Sequence, residues 1–78
     1  MKLTKLLTKR QAEIFKLTVQ GYTQREIAKT LNISASNVSN VLHKVYDKLE
    51  ARNVVEAIRE SMLHGLLSVE DLERRPRA

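Results

Sequence analysis

Cysteine is absent from the chain, so neither a disulfide framework nor a thiolate metal site can form. The absence also suits a reducing cytoplasm. No apolar run approaches the roughly 18 residues of a membrane-spanning helix, and the amino terminus lacks the apolar core of a signal peptide. The expectation is a cytoplasmic protein with no membrane partner. The two histidines, His43 and His64, have no carboxylate cluster or ligand spacing around them, so no metal is expected. A Gly-rich phosphate loop and a nucleophile motif are both missing, which argues against an enzyme and against a cofactor. Glycine occurs twice and proline once, and all three fall at places where a helix should stop. No segment alternates with period two for long enough to argue a strand, so the fold class is all-α.

What is present is charge, and it is uneven. Seventy-eight residues allow one domain near the small end for a self-sufficient core. The chain carries a net charge of +5, with ten basic and four acidic residues through Arg52, and four basic and five acidic from Asn53 onward. Positive potential is therefore concentrated in the amino-terminal two-thirds, as phosphate binding requires.

Cap signals divide the chain. Thr8 with Gln11 reads as a capping box opening a first helix, whose buried face is Ile14, Phe15 and Leu17. Gly21 ends it, because a left-handed position costs glycine little. Thr23 with Glu26 is a second capping box. Ser34 caps a third helix running to about Glu50. Asn53, with Glu56 three residues on, opens a fourth that Gly65 closes. Ser68 with Asp71 starts a short fifth helix that frays into Arg74-Arg75-Pro76-Arg77. The expected organisation is a four-helix domain over 1–67, then a short helix or mobile basic tail over 68–78.

Thr23 to Ser39 reads TQREIAKTLNISASNVS. Ile27, Ala28 and Leu31 share one helical face, and Val38, Leu42, Val45 and Leu49 continue the apolar repeat on the next helix. Between them, Asn32-Ile33-Ser34 supplies a residue that tolerates the left-handed conformation, an apolar plug and an N-cap. Helices joined by so short a turn cross at about 90–120°, and Ala28 sits where a larger side chain would hold them apart. The pattern is a helix-turn-helix, and with the basic charge it points to double-stranded DNA.

At ~100° per residue, Ser36, Asn40, His43 and Asp47 lie opposite the apolar stripe of helix three. Ser39 falls to one side, and Asn37, Lys44 and Lys48 to the other. The amino-terminal turns of a recognition helix face base edges, so Ser36, Ser39, Asn40 and His43 are the expected base contacts. Asn40 leads, since its amide pairs bidentately with adenine N6 and N7. Asp47 would repel phosphate and is expected beyond the contact. Thr23, Gln24 and Arg25 open helix two, where free N–H groups favour a phosphate. Ser34, Lys44 and Lys48 complete that phosphate set.

On helix four, Ala57, Ser61, Val54, Ile58, Met62, Val55 and Leu66 occupy roughly 180° of arc, whereas a helix docked on one side typically needs about 100°. The surplus predicts two neighbours, the helix-turn-helix and a second protomer. Val54, Val55, Ile58, Met62 and Leu66 are the expected dimer interface, and a symmetric dimer would read a pseudo-palindromic site.

From Leu7 to Leu67 the chain resembles the LuxR/GerE-type helix-turn-helix domain. The resemblance rests on Leu7-Thr8, Gly21, Glu26-Ile27-Ala28, Leu31, Ile33-Ser34, Val38, Lys48-Leu49, Asn53 and Ala57. It implies a four-helix domain whose third helix reads DNA and whose fourth often dimerises. Gln11 replaces an acidic residue usual in that family. Asn37 stands where threonine is common, Val41 where histidine is common, and Val54 where arginine is common. The resemblance implies a phosphate contact at Asn37, which an amide can still donate. The LTKRQ opening, TQREIA and SASNVS are instead similar to Tfx-type archaeal regulators. A receiver or ligand domain of the sort that gates typical LuxR-class regulators is not seen, so control is expected from abundance, a partner protein or dimerisation. Two other functions compete with a sequence-specific homodimeric regulator. One is a module docking on RNA polymerase, as sigma-factor region four does, which should carry an apolar patch on helix three. The other is a nucleoid-type binder indifferent to sequence.

Overall fold

The computed structural model describes residues 6–73. Four helices, α1 (Lys9–Val19), α2 (Gln24–Leu31), α3 (Ala35–Lys48) and α4 (Val54–Leu63), are followed by a 3-10 turn at Val69–Leu72. No strand occurs among the described residues, and the all-α class stands. The fifth helix expected after Ser68 is this single turn. Its Asp71 carboxylate accepts from the Ser68 N–H and hydroxyl at 3.0 and 3.1 Å. The expected basic tail beyond Glu73 lies outside the described residues.

Each helix starts where a short polar side chain can satisfy the first free N–H groups. Thr8 and Gln11 exchange both bonds of a capping box at 3.1 and 3.0 Å. Thr23 and Glu26 do the same at 3.1 and 2.8 Å. Ser34 accepts from the Asn37 N–H at 3.0 Å. Asn53 accepts from the Glu56 N–H at 2.9 Å, but the Glu56 carboxylate turns back to Arg52, taking its N–H at 2.9 Å and its guanidinium at 2.7 Å. These hydrogen bonds, the side-chain one foremost, hold the Glu56 carboxyl below its ordinary range.

All four helices also stop in one way. A residue with positive φ follows the last turn: Gly21 at 95°, Asn32 at 57°, Glu50 at 55° and Gly65 at 69°. The next N–H then reaches back five residues, from Tyr22 to Leu17, Ile33 to Ala28, Ala51 to Tyr46 and Leu66 to Ser61, at 2.8–3.1 Å. This closure satisfies carbonyls that the helix leaves open.

The core is one cluster. Val38, Leu42 and Val45 of α3 form its central stripe against Ala12, Ile14 and Phe15 of α1, Ile27 and Ala28 of α2, and Ala57 of α4. Leu7, Tyr22, Leu49 and Leu67 close its ends. Leu72 packs against it too, and the Gln20 amide donates to the Asp71 carbonyl at 3.5 Å, drawing the 3-10 turn onto α1.

Candidate nucleic-acid interface

The turn between α2 and α3 fixes the site. Asn32 takes the left-handed conformation at its start, Ile33 tucks against the core, and Ser34 caps α3. Ala28 is buried where α2 meets α3, so the small side chain sets the close approach that orients both helices. The capping box uses the Thr23 and Glu26 N–H groups. At the start of α2, the Gln24 and Arg25 N–H groups remain for an incoming acceptor, on two exposed residues.

The outer face of α3 is polar and open. Ser36, Asn40, His43, Lys44 and Asp47 are exposed, Ser39 is half-buried, and Val38, Leu42 and Val45 point the other way. The Asn40 carboxamide and the His43 imidazole make no hydrogen bond within the described residues. The Ser36 hydroxyl lies 3.3 Å from that of Ser34, whose oxygen already accepts from the Asn37 N–H. If Ser34 directs its proton to Ser36, the Ser36 proton points outward as a donor.

Thr23, Gln24, Arg25, Ser34, Asn37, Lys44 and Lys48 are all exposed. They are not equally placed. Thr23, Gln24 and Arg25 lie at the α2 N-terminus, and Ser34 and Asn37 at the α3 N-terminus. Lys44 sits two turns further along α3. Lys48 is held elsewhere: its ammonium donates to Gln11 Oε1 at 2.8 Å, and the same oxygen accepts from the Thr8 N–H. Gln11 thus ties the end of α3 to the start of α1. This contact is not legible in the sequence, because the two residues stand 37 positions apart.

On α4, Ala57 and Ser61 face inward and are fully buried. Val55 is 71 % exposed, Val54 is half-buried, and Ile58 and Met62 are half-buried against the core. Leu63, 67 % exposed, adds apolar surface to α4 beyond the residues expected from the sequence. Leu66 lies past the left-handed Gly65 and lines a groove of about 420 Å³ with Leu6, Leu49, Glu60 and His64. The chain reversal therefore takes Leu66 off the α4 face expected for the dimer interface, since α4 ends at Leu63.

Among the described residues no helix is long and apolar enough to cross a membrane, and no group of three or more His, Asp or Glu is gathered as for a metal. Residues 5–61 match the family model described as bacterial regulatory proteins, luxR family. The spore germination protein GerE of Bacillus subtilis is 39 % identical over 64 residues, covering 82 % of this chain and 86 % of GerE. The transcriptional regulatory protein DesR of Bacillus subtilis is 37 % identical over 59 residues, which cover 76 % of this chain but 30 % of DesR. DegU of Brevibacillus brevis is 31 % identical over 64 residues, 82 % of this chain and 27 % of DegU. The chain thus spans less than a third of these two longer regulators. The matches support the LuxR/GerE resemblance and give no support to the Tfx-type features expected of the helix-turn-helix.

Proposed function

The chain belongs to the luxR family of bacterial regulatory proteins, whose helix-turn-helix unit is a DNA-binding domain of transcriptional regulators, and from that premise we propose a homodimer that reads a pseudo-palindromic duplex site through α3. The domain proper is residues 1–67, with 68–78 an appendage that begins by packing on α1. Ser36, Ser39, Asn40 and His43 face the bases. Thr23, Gln24, Arg25, Ser34, Asn37 and Lys44 hold phosphates and set the register. Lys48, which gives one of its three donors to Gln11, is the phosphate contact furthest from the α3 N-terminus. Val54, Val55, Ile58 and Met62 meet a second copy, with Leu63 at the edge of that face.

The observation that carries this reading is the exposed, unengaged polar edge of α3 beside two helix N-termini. A module docking on the transcription machinery would need apolar surface there, and the exposed residues are Ser36, Asn40, His43, Lys44 and Asp47.

Selection of binding sites from a random duplex pool at near-physiological salt tests the reading. An enriched inverted repeat, with half-sites about one helical turn apart, is the expected result. Binding without enrichment would replace it with a nucleoid-type role, and no binding would move the function to a protein partner.

A further inference from the structure

The reading edge of α3 carries no cation over its first turns, and exposed cations stand on α2 and from Lys44 onward. From Ala35 to His43 the helix reads ASNVSNVLH, with no arginine or lysine before Lys44. Arg25 and Lys29 stand exposed on α2. Ser36 to His43 spans about 10 Å at ~1.5 Å per residue, enough for about three base pairs at ~3.4 Å each. The base pairs under Ser36 to Asn40 therefore meet two hydroxyls and one carboxamide, with the His43 imidazole about one turn further on.

That set discriminates between bases. Guanine offers two adjacent acceptors, O6 and N7, which suit the paired donors of arginine or lysine. A carboxamide offers one donor and one acceptor, matching adenine, whose N6 amino group donates and whose N7 accepts. Placed on guanine in that pose, the amide oxygen would face O6, lone pair to lone pair. Turning the amide over recovers a single bond. Ser36 can donate to adenine N7 or thymine O4 and adds no guanine preference. No other described group competes for the Asn40 amide, so it is free to take the bidentate pose.

Resting on the reading of α3 as the recognition helix, we infer that the centre of each half-site is A·T, with an adenine held by the Asn40 carboxamide. Specificity there comes from amide and hydroxyl groups, and the cations on either side serve the backbone alone.

Two measurements test this on the full chain. In the first, each adenine of the selected site is replaced in turn by 7-deazaadenine, which lacks the N7 acceptor, and affinity is measured for the parent chain and for Asn40→Ala. At one central adenine the parent should lose about fivefold, the worth of one hydrogen bond, while Asn40→Ala loses nothing further. In the second, site selection is repeated with Asn40→Arg, which should exchange that A·T pair for G·C. Asn40 is exposed and makes no internal hydrogen bond, so both variants should fold. A parent motif with G·C at its centre, equal 7-deazaadenine losses in both proteins, or an unchanged motif for Asn40→Arg each overturns the inference while leaving a sequence-specific regulator intact. No enriched motif for the parent chain would remove the regulator reading and this inference with it.

Discussion

Ser61 is fully buried on the inner face of α4, and its hydroxyl has no hydrogen-bond partner among the described residues. Its carbonyl is well used, accepting from the Leu66 and Leu67 N–H groups at 2.8 and 3.1 Å. Only the side chain is unsatisfied. A buried hydroxyl without a partner costs about 1–3 kcal/mol, and serine in a helix interior is also less favourable than alanine by some tenths. Alanine removes only the hydroxyl and keeps the Cβ of this fully buried position. Ser61→Ala should therefore stabilise the domain by about 1 kcal/mol, which for a chain of this size raises Tm by about 4–8 °C. Thermal unfolding followed by circular dichroism checks it. A lower Tm would mean that a buried water pairs with the hydroxyl.

At the scale of the helices, the ends separate what local sequence encodes from what only the fold decides. Thr8, Thr23, Ser34 and Asn53 declare their helices because capping chemistry lies within three residues of the cap. Gly21, Asn32 and Gly65 declare three stops because they accept positive φ at little cost. Glu50 does neither. The sequence reading ran α3 on to about this residue, yet Glu50 sits at φ 55°, where an ordinary L-residue is strained by about 1–2 kcal/mol. The anchoring of Ala51 N–H on the Tyr46 carbonyl at 2.8 Å, with Leu49 buried just before, forces the reversal. Glu50→Gly should then gain about 1 kcal/mol, less whatever the unfolded chain gains in freedom. Urea unfolding would show it as a raised midpoint at unchanged slope. No gain would mean that the Glu50 side chain supplies a compensating contact. The same distinction applies at the interface. The exposed edge of α3 was legible, since periodicity alone places Ser36, Asn40 and His43 opposite Val38 and Leu42. The Lys48–Gln11 contact and the turning of Leu66 into a groove were not, because both depend on how distant segments pack.

Taken as a whole, the described chain divides its charge unevenly along its length. Residues 6–49 hold seven basic and three acidic side chains, and residues 50–73 hold two basic and six acidic. In the proposed complex the duplex lies against α2 and α3, which the more basic part of the chain supplies, and α4 belongs to the more acidic part. That leaves the apolar surface of α4 for the proposed second copy, and the exposed Val55 is the place to test it. Ile58 and Met62 also touch the core, so charging them would confuse loss of assembly with loss of fold. Val55, at 71 % exposure, avoids this. In a two-fold interface Val55→Asp introduces the charge twice, desolvating both copies against apolar neighbours. The variant should sediment as a monomer with the helical circular-dichroism spectrum of the parent and a melting temperature that no longer rises with protein concentration, and should bind an inverted repeat no more tightly than a single half-site. Val69→Asp, equally exposed at 70 % but on the 3-10 turn, supplies the control and should leave assembly as it was. If Val55→Asp remains a folded dimer at parental affinity, the contact between copies does not run through α4. The surplus apolar arc of that helix would then need another occupant.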